Sequence, residues 1–323
     1  MNRKNLTRFV GLALSVLCLA FFFVKARSSW DQVSSHIELE QAWTSIALGL
    51  VPYMLAYAIF ASSWHLLMRT LGDRGSLMTS WGIFLTAQFG KYLPGNVGQH
   101  AGRVAIGMKH GQLASQIVIT MLIETMMALA IAGLLSLSMT GLVSNNTRGV
   151  WTGGTALMTI LAATVIVLVI ILALLLAWRH HWLVRLRTWL VRNFSALRSK
   201  QAMRRIALCV VMTSVALSLS STPLLLLSAN APVLTINRAL YAVGLFCAAW
   251  IAGMFTPGAP AGLGVRELIL VQGLTPITGQ TGAIITTILF RILTVTADFL
   301  AFLAGIALLR LFPGKQISVT RTS

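Results

Sequence analysis

Apolar positions in this chain fall in long unbroken runs, without the alternation of half-buried strands or the narrow stripes of soluble helices. A bilayer core about 30 Å thick takes roughly 20 apolar residues of helix. Six runs of that order predict crossings: Leu6–Ala26, Trp43–Met68, Gln112–Gly141, Val150–Trp178, Ile206–Ala229 and Gly282–Leu311. The first resembles a signal peptide, with Arg3, Lys4 and Arg8 ahead of its apolar core, but Val24-Lys25-Ala26-Arg27 has no clean small-x-small cleavage site, so it reads as an uncleaved span. Two further runs are interrupted. Leu77–His110 breaks at Lys91-Tyr92-Leu93-Pro94-Gly95-Asn96-Val97-Gly98, and Ala239–Gln272 breaks at Thr256-Pro257-Gly258-Ala259-Pro260-Ala261-Gly262-Leu263-Gly264. Proline and glycine cannot continue a helix there. The halves, about 11 to 18 residues each, are short for crossings and suit re-entrant hairpins, whose irregular backbone survives at membrane depth only under protein or water. A rival reading, in which Ala239–Phe255 and Gly264–Gly273 each cross, stays open. The fold class is therefore an all-α polytopic membrane protein with about 6 to 8 transmembrane helices, two of its segments broken.

Composition removes the alternatives. Of 323 residues 57% are hydrophobic and 10% charged, and mean hydropathy is +0.82, which excludes a soluble domain. The 25 Lys and Arg against 7 Asp and Glu give +18. Nucleic-acid binders carry such an excess on solvated faces; here it lies between spans and reads as topology, so no nucleic-acid partner is expected. Cys18, Cys209 and Cys247 sit inside apolar runs and match no metal or disulfide spacing, which predicts buried thiols. His180-His181 is a juxtamembrane tandem unsuited to clamping one metal, His36 and His65 are isolated, His100 and His110 flank a helix without carboxylate company, and no P-loop or nucleotide fingerprint occurs, so no metal and no cofactor are expected.

The basic residues set the orientation. Arg179, Arg185, Arg187, Arg192, Arg198, Lys200, Arg204 and Arg205 crowd a linker over 179–205, which places it, both termini and most of the 25 basic residues in the cytoplasm. Trp182, Leu186, Trp189, Leu190, Phe194 and Leu197 recur at helical spacing opposite Arg185, Arg192 and Lys200, an amphipathic pattern suited to an anionic leaflet. Residues 1–323 read as one membrane domain with repeat-like halves, 43–178 and 206–311. Each holds a span, a broken hairpin and a span in opposite orientation, the arrangement of inverted-repeat transporters.

An ionisable side chain at the bilayer centre costs about 2.5–3.5 kcal/mol even on the lenient insertion scale. Glu124, Arg266, Glu267, Arg291 and Asp298 are placed at that depth and must face one another or water. Thr287, Arg291, Thr294 and Asp298 share one helical face, as do Gln116, Thr120 and Glu124, so a polar interior is expected. Glu124 with Arg291 is the preferred pair. At the breaks, new helices begin after Pro94-Gly95-Asn96 and after the run from Pro257 and Gly258 to Gly262, and their unpaired N–H groups favour an anion. Gly95, Gly98, Gly258, Gly262 and Gly264 admit close approach; Gly98 and Gly102 read equally as a small-residue packing face. Arg103 and Arg266, about a turn into each new helix, can fork onto a phosphate. Glu267 points about 100° away from Arg266 on a helix and is expected to restrain another helix.

The run from Lys91 through Pro94, Gly95, Asn96 and Gly98 to Arg103, the Gly262-x-Gly264-x-Arg266-Glu267 sequence after Pro257-Gly258, and Arg291 in the last span resemble the transmembrane family of lysylphosphatidylglycerol synthase/flippase proteins over most of the chain. The resemblance implies a headgroup-facing role for Pro94, Gly95, Gly98 and Arg103, and for Pro257, Gly258, Gly262, Gly264, Arg266 and Glu267. It also implies lipid movement, and an association with glycolipid or surface-polysaccharide pathways. Only a short polar tail follows Leu311, so the synthase activity is not expected.

Three functions compete. The first is a flippase for an anionic phospholipid or a polyprenyl-phosphate-linked glycan precursor in a bacterial inner membrane. The second is a glycosyltransferase using Glu38 and Glu40 near Asp31. The third is an accessory protein holding a glycosyltransferase partner. The lipid, the energy source and the oligomeric state are not legible.

Overall fold

The computed structural model describes residues 39–92, 98–146, 199–228, 235–256 and 260–313. The expected spans Leu6–Ala26 and Val150–Trp178, and all of the basic linker before Ser199, lie outside them, as do Leu93 to Val97 and Pro257 to Ala259. The described chain is helical with no strand: α1 (Leu39–Thr70), α2 (Leu77–Gln88), a 3-10 turn (Phe89–Tyr92), α3 (Gly98–Lys109), α4 (Ala114–Asn146), α5 (Lys200–Leu227), α6 (Ile236–Phe255), a second 3-10 turn (Pro260–Gly262) and α7 (Val265–Leu311).

Local chemistry sets the boundaries. Ser76 and Ser199 accept the Thr79 and Ala202 amides with their hydroxyls and so cap α2 and α5, which satisfies amides that have no partner within the helix. α7 is two helices joined at a kink, where Gly279 takes φ 72° and ψ 170°, a conformation reserved for glycine. Among the described residues five helices are long and apolar enough to cross a membrane: α1, α4, α5, α6 and α7. Exposed Leu48, Val51, Leu55 and Leu134 form an apolar exterior suited to lipid. The protein is a multi-pass membrane protein.

α2 and α3 have 12 residues each, about 18 Å, too short to cross the hydrocarbon core. The second break differs from expectation. Its leading arm, α6, has 20 residues, about 30 Å, whereas the trailing arm over 265–278 spans only about 21 Å before the Gly279 kink.

Glycines close both hairpins. A Cβ on Gly90 would lie 2.6 Å from the Gly98 carbonyl carbon, and one on Gly262, which has φ 69°, would lie 2.6 Å from the Gly253 Cα. Gly98 therefore packs backbone against backbone, the small-residue role. We expect Gly90→Ala to destabilise the protein by about 1–3 kcal/mol through overpacking, read as a lower thermal midpoint in detergent, and Gly102→Ala, whose Cβ would meet Ala87 at an ordinary 3.5 Å, to be nearly neutral.

Helix partners follow an exchange rule. The largest interfaces are α1 on α5, α2 on α7 and α4 on α6. Swapping α1, α2 and α4 for α5, α6 and α7 maps the first interface onto itself and interchanges the other two. The approach of α2 to α7 is tight, since a Cβ on Gly305 would lie 2.5 Å from the Thr86 amide nitrogen. The core runs from Trp64 and Phe84 through Leu217 and Leu224 to Leu245, Phe290 and Leu293.

Candidate functional site

An ion left alone in a low-dielectric interior costs several kcal/mol, and all but one of the interior cations are paired with a carboxylate among the described residues. Asp298, fully buried in α7, is the hub of the first cluster. It accepts hydrogen bonds from the Tyr57 hydroxyl of α1, from the Tyr92 hydroxyl at 2.5 Å and from the Lys91 ammonium at 2.7 Å. The Lys91 ammonium also donates to the Tyr57 oxygen at 3.1 Å and sits 5.8 Å above that ring. The 3-10 turn of the first break is thus tied to the last helix.

The second cluster is Arg103 with Glu124, 2.5 Å apart. The Arg103 guanidinium lies 4.0 Å from the Phe84 ring centroid and 5.5 Å from that of Trp64, favourable cation–π positions, and its Nε is buried with no hydrogen-bond partner. Below Glu124 on α4, Thr120 accepts from the Trp64 indole N–H at 3.1 Å and Gln116 donates to the Leu71 carbonyl at 2.8 Å. This stripe faces inward, as its spacing predicts. On α7, Thr287, Thr294 and Asp298 are likewise buried.

The third cluster corrects the sequence reading. Arg291 pairs with Glu267 at 3.3 Å, and Glu124 is taken by Arg103, so the expected Glu124–Arg291 pair does not form. Spacing along one helix specifies a face but not which helix it meets. Glu267 does restrain another helix, as expected. Its second oxygen accepts the Gly264 amide at 2.7 Å, the half of a capping box that a glycine N-cap, having no side chain, allows at the start of α7. The helix N-terminus expected to hold a ligand anion here already holds this carboxylate.

Between the breaks lies a cavity of about 230 Å³. Tyr53, Tyr57 and Phe60 of α1 form one wall, Phe84 and Gln88 of α2 with Lys91 another, and Phe246, Trp250 and Gly253 of α6 a third. Arg103, Glu124 and Arg266 bring charge to it. Arg266 packs its stem on α6, since a Cβ on Gly253 would meet its Cγ at 2.4 Å, and its guanidinium carbon lies 6.0 Å from the Phe246 ring centroid. Lys91, Arg103 and Arg291 each have a carboxylate within 4 Å; Arg266 has none among the described residues.

Of the expected site residues, the structure brings Lys91, Arg103, Glu124 and Arg266 to one cavity, with Asp298 behind Lys91 and with Glu267 and Arg291 paired nearby. Gly98, Gly262 and Gly264 shape the backbone: two are close-packed, and Gly264 is the N-cap of α7 with φ 90°. Pro94, Gly95, Asn96, Pro257 and Gly258 lie outside the described residues. Sequence reasoning missed Tyr53, Tyr57 and Tyr92, although Tyr53 and Tyr57 stand four residues apart on one helical face.

No curated protein matches the chain. The model of the lysylphosphatidylglycerol synthase TM region matches residues 8–305, a stretch that includes every charged cluster and both broken hairpins. The chain belongs to that family.

Proposed function

We propose that the protein is a lipid transporter without enzymatic activity, and that the cavity between the two breaks receives the anionic headgroup of a phospholipid or polyprenyl-phosphate lipid while the chains stay in the bilayer. The observation that carries this reading is Arg266, a guanidinium lining a cavity within the membrane domain with no carboxylate partner among the described residues. An unpaired cation at such a site is expensive, and an anionic headgroup neutralises it and lowers the barrier to moving phosphate through the membrane.

Two features support movement rather than static binding. The 12-residue arms α2 and α3 suit a re-entrant hairpin opening to water, and the exchange of helix partners between the halves suits rocking of one half against the other. We place the protein in a bacterial inner membrane with both termini cytoplasmic, on the distribution of Lys and Arg. The test is reconstitution in liposomes carrying acyl-labelled lipids and a quencher that reaches only the outer leaflet. Protein-dependent exchange of an anionic lipid is expected, slowed about tenfold or more by Arg266→Gln, which removes a charge-assisted contact of about 1.5–3 kcal/mol. Unchanged exchange in that variant would remove Arg266 from the pathway.

A further inference from the structure

We infer that the cavity selects headgroups with a single negative charge, such as a phosphodiester, over doubly charged phosphate monoesters. The inference rests on the transporter reading above and deepens it. Four cations, Lys91, Arg103, Arg266 and Arg291, surround three carboxylates, Glu124, Glu267 and Asp298. Each carboxylate already has its cation, so the described site carries an excess of one positive charge, located on Arg266. Charge imbalance is costly where water is excluded, and the cost rises in either direction from neutrality. A monoanion brings the site to zero, a dianion to minus one, and a headgroup without net charge leaves the excess in place.

A second observation places the ligand. The Nε of Arg103, a residue only 5% exposed, is buried without an acceptor although the residue lines the cavity. Its NH1 is held by Glu124, so a phosphate oxygen that meets the Nε N–H after a small shift of the side chains covering it satisfies that group without breaking the pair. Glu124 also lines the cavity and acts as a built-in anion beside the ligand; it is the residue that turns away a second negative charge. The cavity, about 230 Å³, is below the roughly 300–1,000 Å³ of sites that enclose a drug-sized ligand, so it holds a headgroup and not a whole lipid.

The experiment uses the full chain in phosphatidylcholine vesicles with traces of three acyl-labelled probes: phosphatidylglycerol, a monoanionic diester; phosphatidic acid at alkaline pH, where a phosphate monoester with second pKa of about 6 carries two charges; and phosphatidylcholine, with no net charge. That pH also keeps His100, another lining residue, neutral, since imidazole ordinarily titrates at about 6.5. We expect phosphatidylglycerol to exchange about tenfold faster than either other probe. Glu124→Gln, which raises the excess to two, should lower the phosphatidylglycerol to phosphatidic acid ratio about tenfold. Arg266→Gln breaks no ion pair and cancels the excess; it should shift the preference to phosphatidylcholine, and it keeps the test decisive if Glu124→Gln does not fold. Fastest exchange of phosphatidic acid by the wild type, or a ratio unmoved by the folded variants, overturns the charge rule while leaving transport standing. Absence of protein-dependent exchange for every probe overturns the transporter reading and this inference with it.

Discussion

Replacing Asp298 by Ala should destabilise the protein by about 3–5 kcal/mol, because it leaves a largely buried lysine without its counter-ion. The carboxylate is fully buried and receives Tyr57, Tyr92 and Lys91 from two separate elements. Without it, the buried Tyr57 hydroxyl and the partly buried Tyr92 hydroxyl lose an acceptor, and Lys91, whose side chain is 16% exposed, keeps only the Tyr57 oxygen as a hydrogen-bond partner. Asp298→Asn keeps a neutral acceptor for the tyrosines and should cost less. Adding Lys91→Met to Asp298→Ala should recover part of the loss, since removing both charges eliminates the uncompensated one. Thermal unfolding in detergent of the two single variants and the double variant reads these differences. An Asp298→Ala midpoint equal to that of the wild type would mean that the cluster does not hold the first break against α7.

The Glu267→Ala variant should lose a comparable amount, about 3–5 kcal/mol from unpairing Arg291 plus about 0.5–2 kcal/mol from the lost α7 cap. The two contributions separate by substitution. Glu267→Gln keeps a side-chain oxygen for the Gly264 amide, 2.7 Å away, and gives up only the charge that faces Arg291 at 3.3 Å. Arg291→Met added to Glu267→Gln should then restore most of the stability, whereas added to Glu267→Ala it should leave the capping loss. If Glu267→Gln and Glu267→Ala unfold at the same midpoint, the capping contact contributes nothing and the ion pair alone anchors this helix start.

The spans were legible because hydropathy is a property of consecutive residues. Trp43–Met68 is found within a crossing segment over Ala42–Thr70, and Ile206–Ala229 corresponds to Lys200–Leu227, each shifted by a few residues at the ends. The first hairpin was legible for a similar reason. Proline and glycine end helices locally, so the run Leu77–His110 resolves into α2 and α3, with Lys109 the last helical residue. The kink at Gly279 was not read, since a lone glycine in an apolar run is also tolerated within a helix.

The sequence by itself determined which residues had to turn inward. Five ionisable groups in apolar runs cannot face lipid, and the periods of Thr287, Thr294 and Asp298 and of Gln116, Thr120 and Glu124 specified their faces. It could not determine the partners. Arg103 meets Glu124, and Glu267 meets Arg291, because α3 stands beside α4 and because Gly279 turns the two arms of α7; neither arrangement has a local signature. The tertiary structure alone decided that three carboxylates would be used up by three cations. That left Arg266 as the cation at the cavity without a described counter-ion, since helix packing, and not spacing along the chain, sets which charges lie within 4 Å of one another.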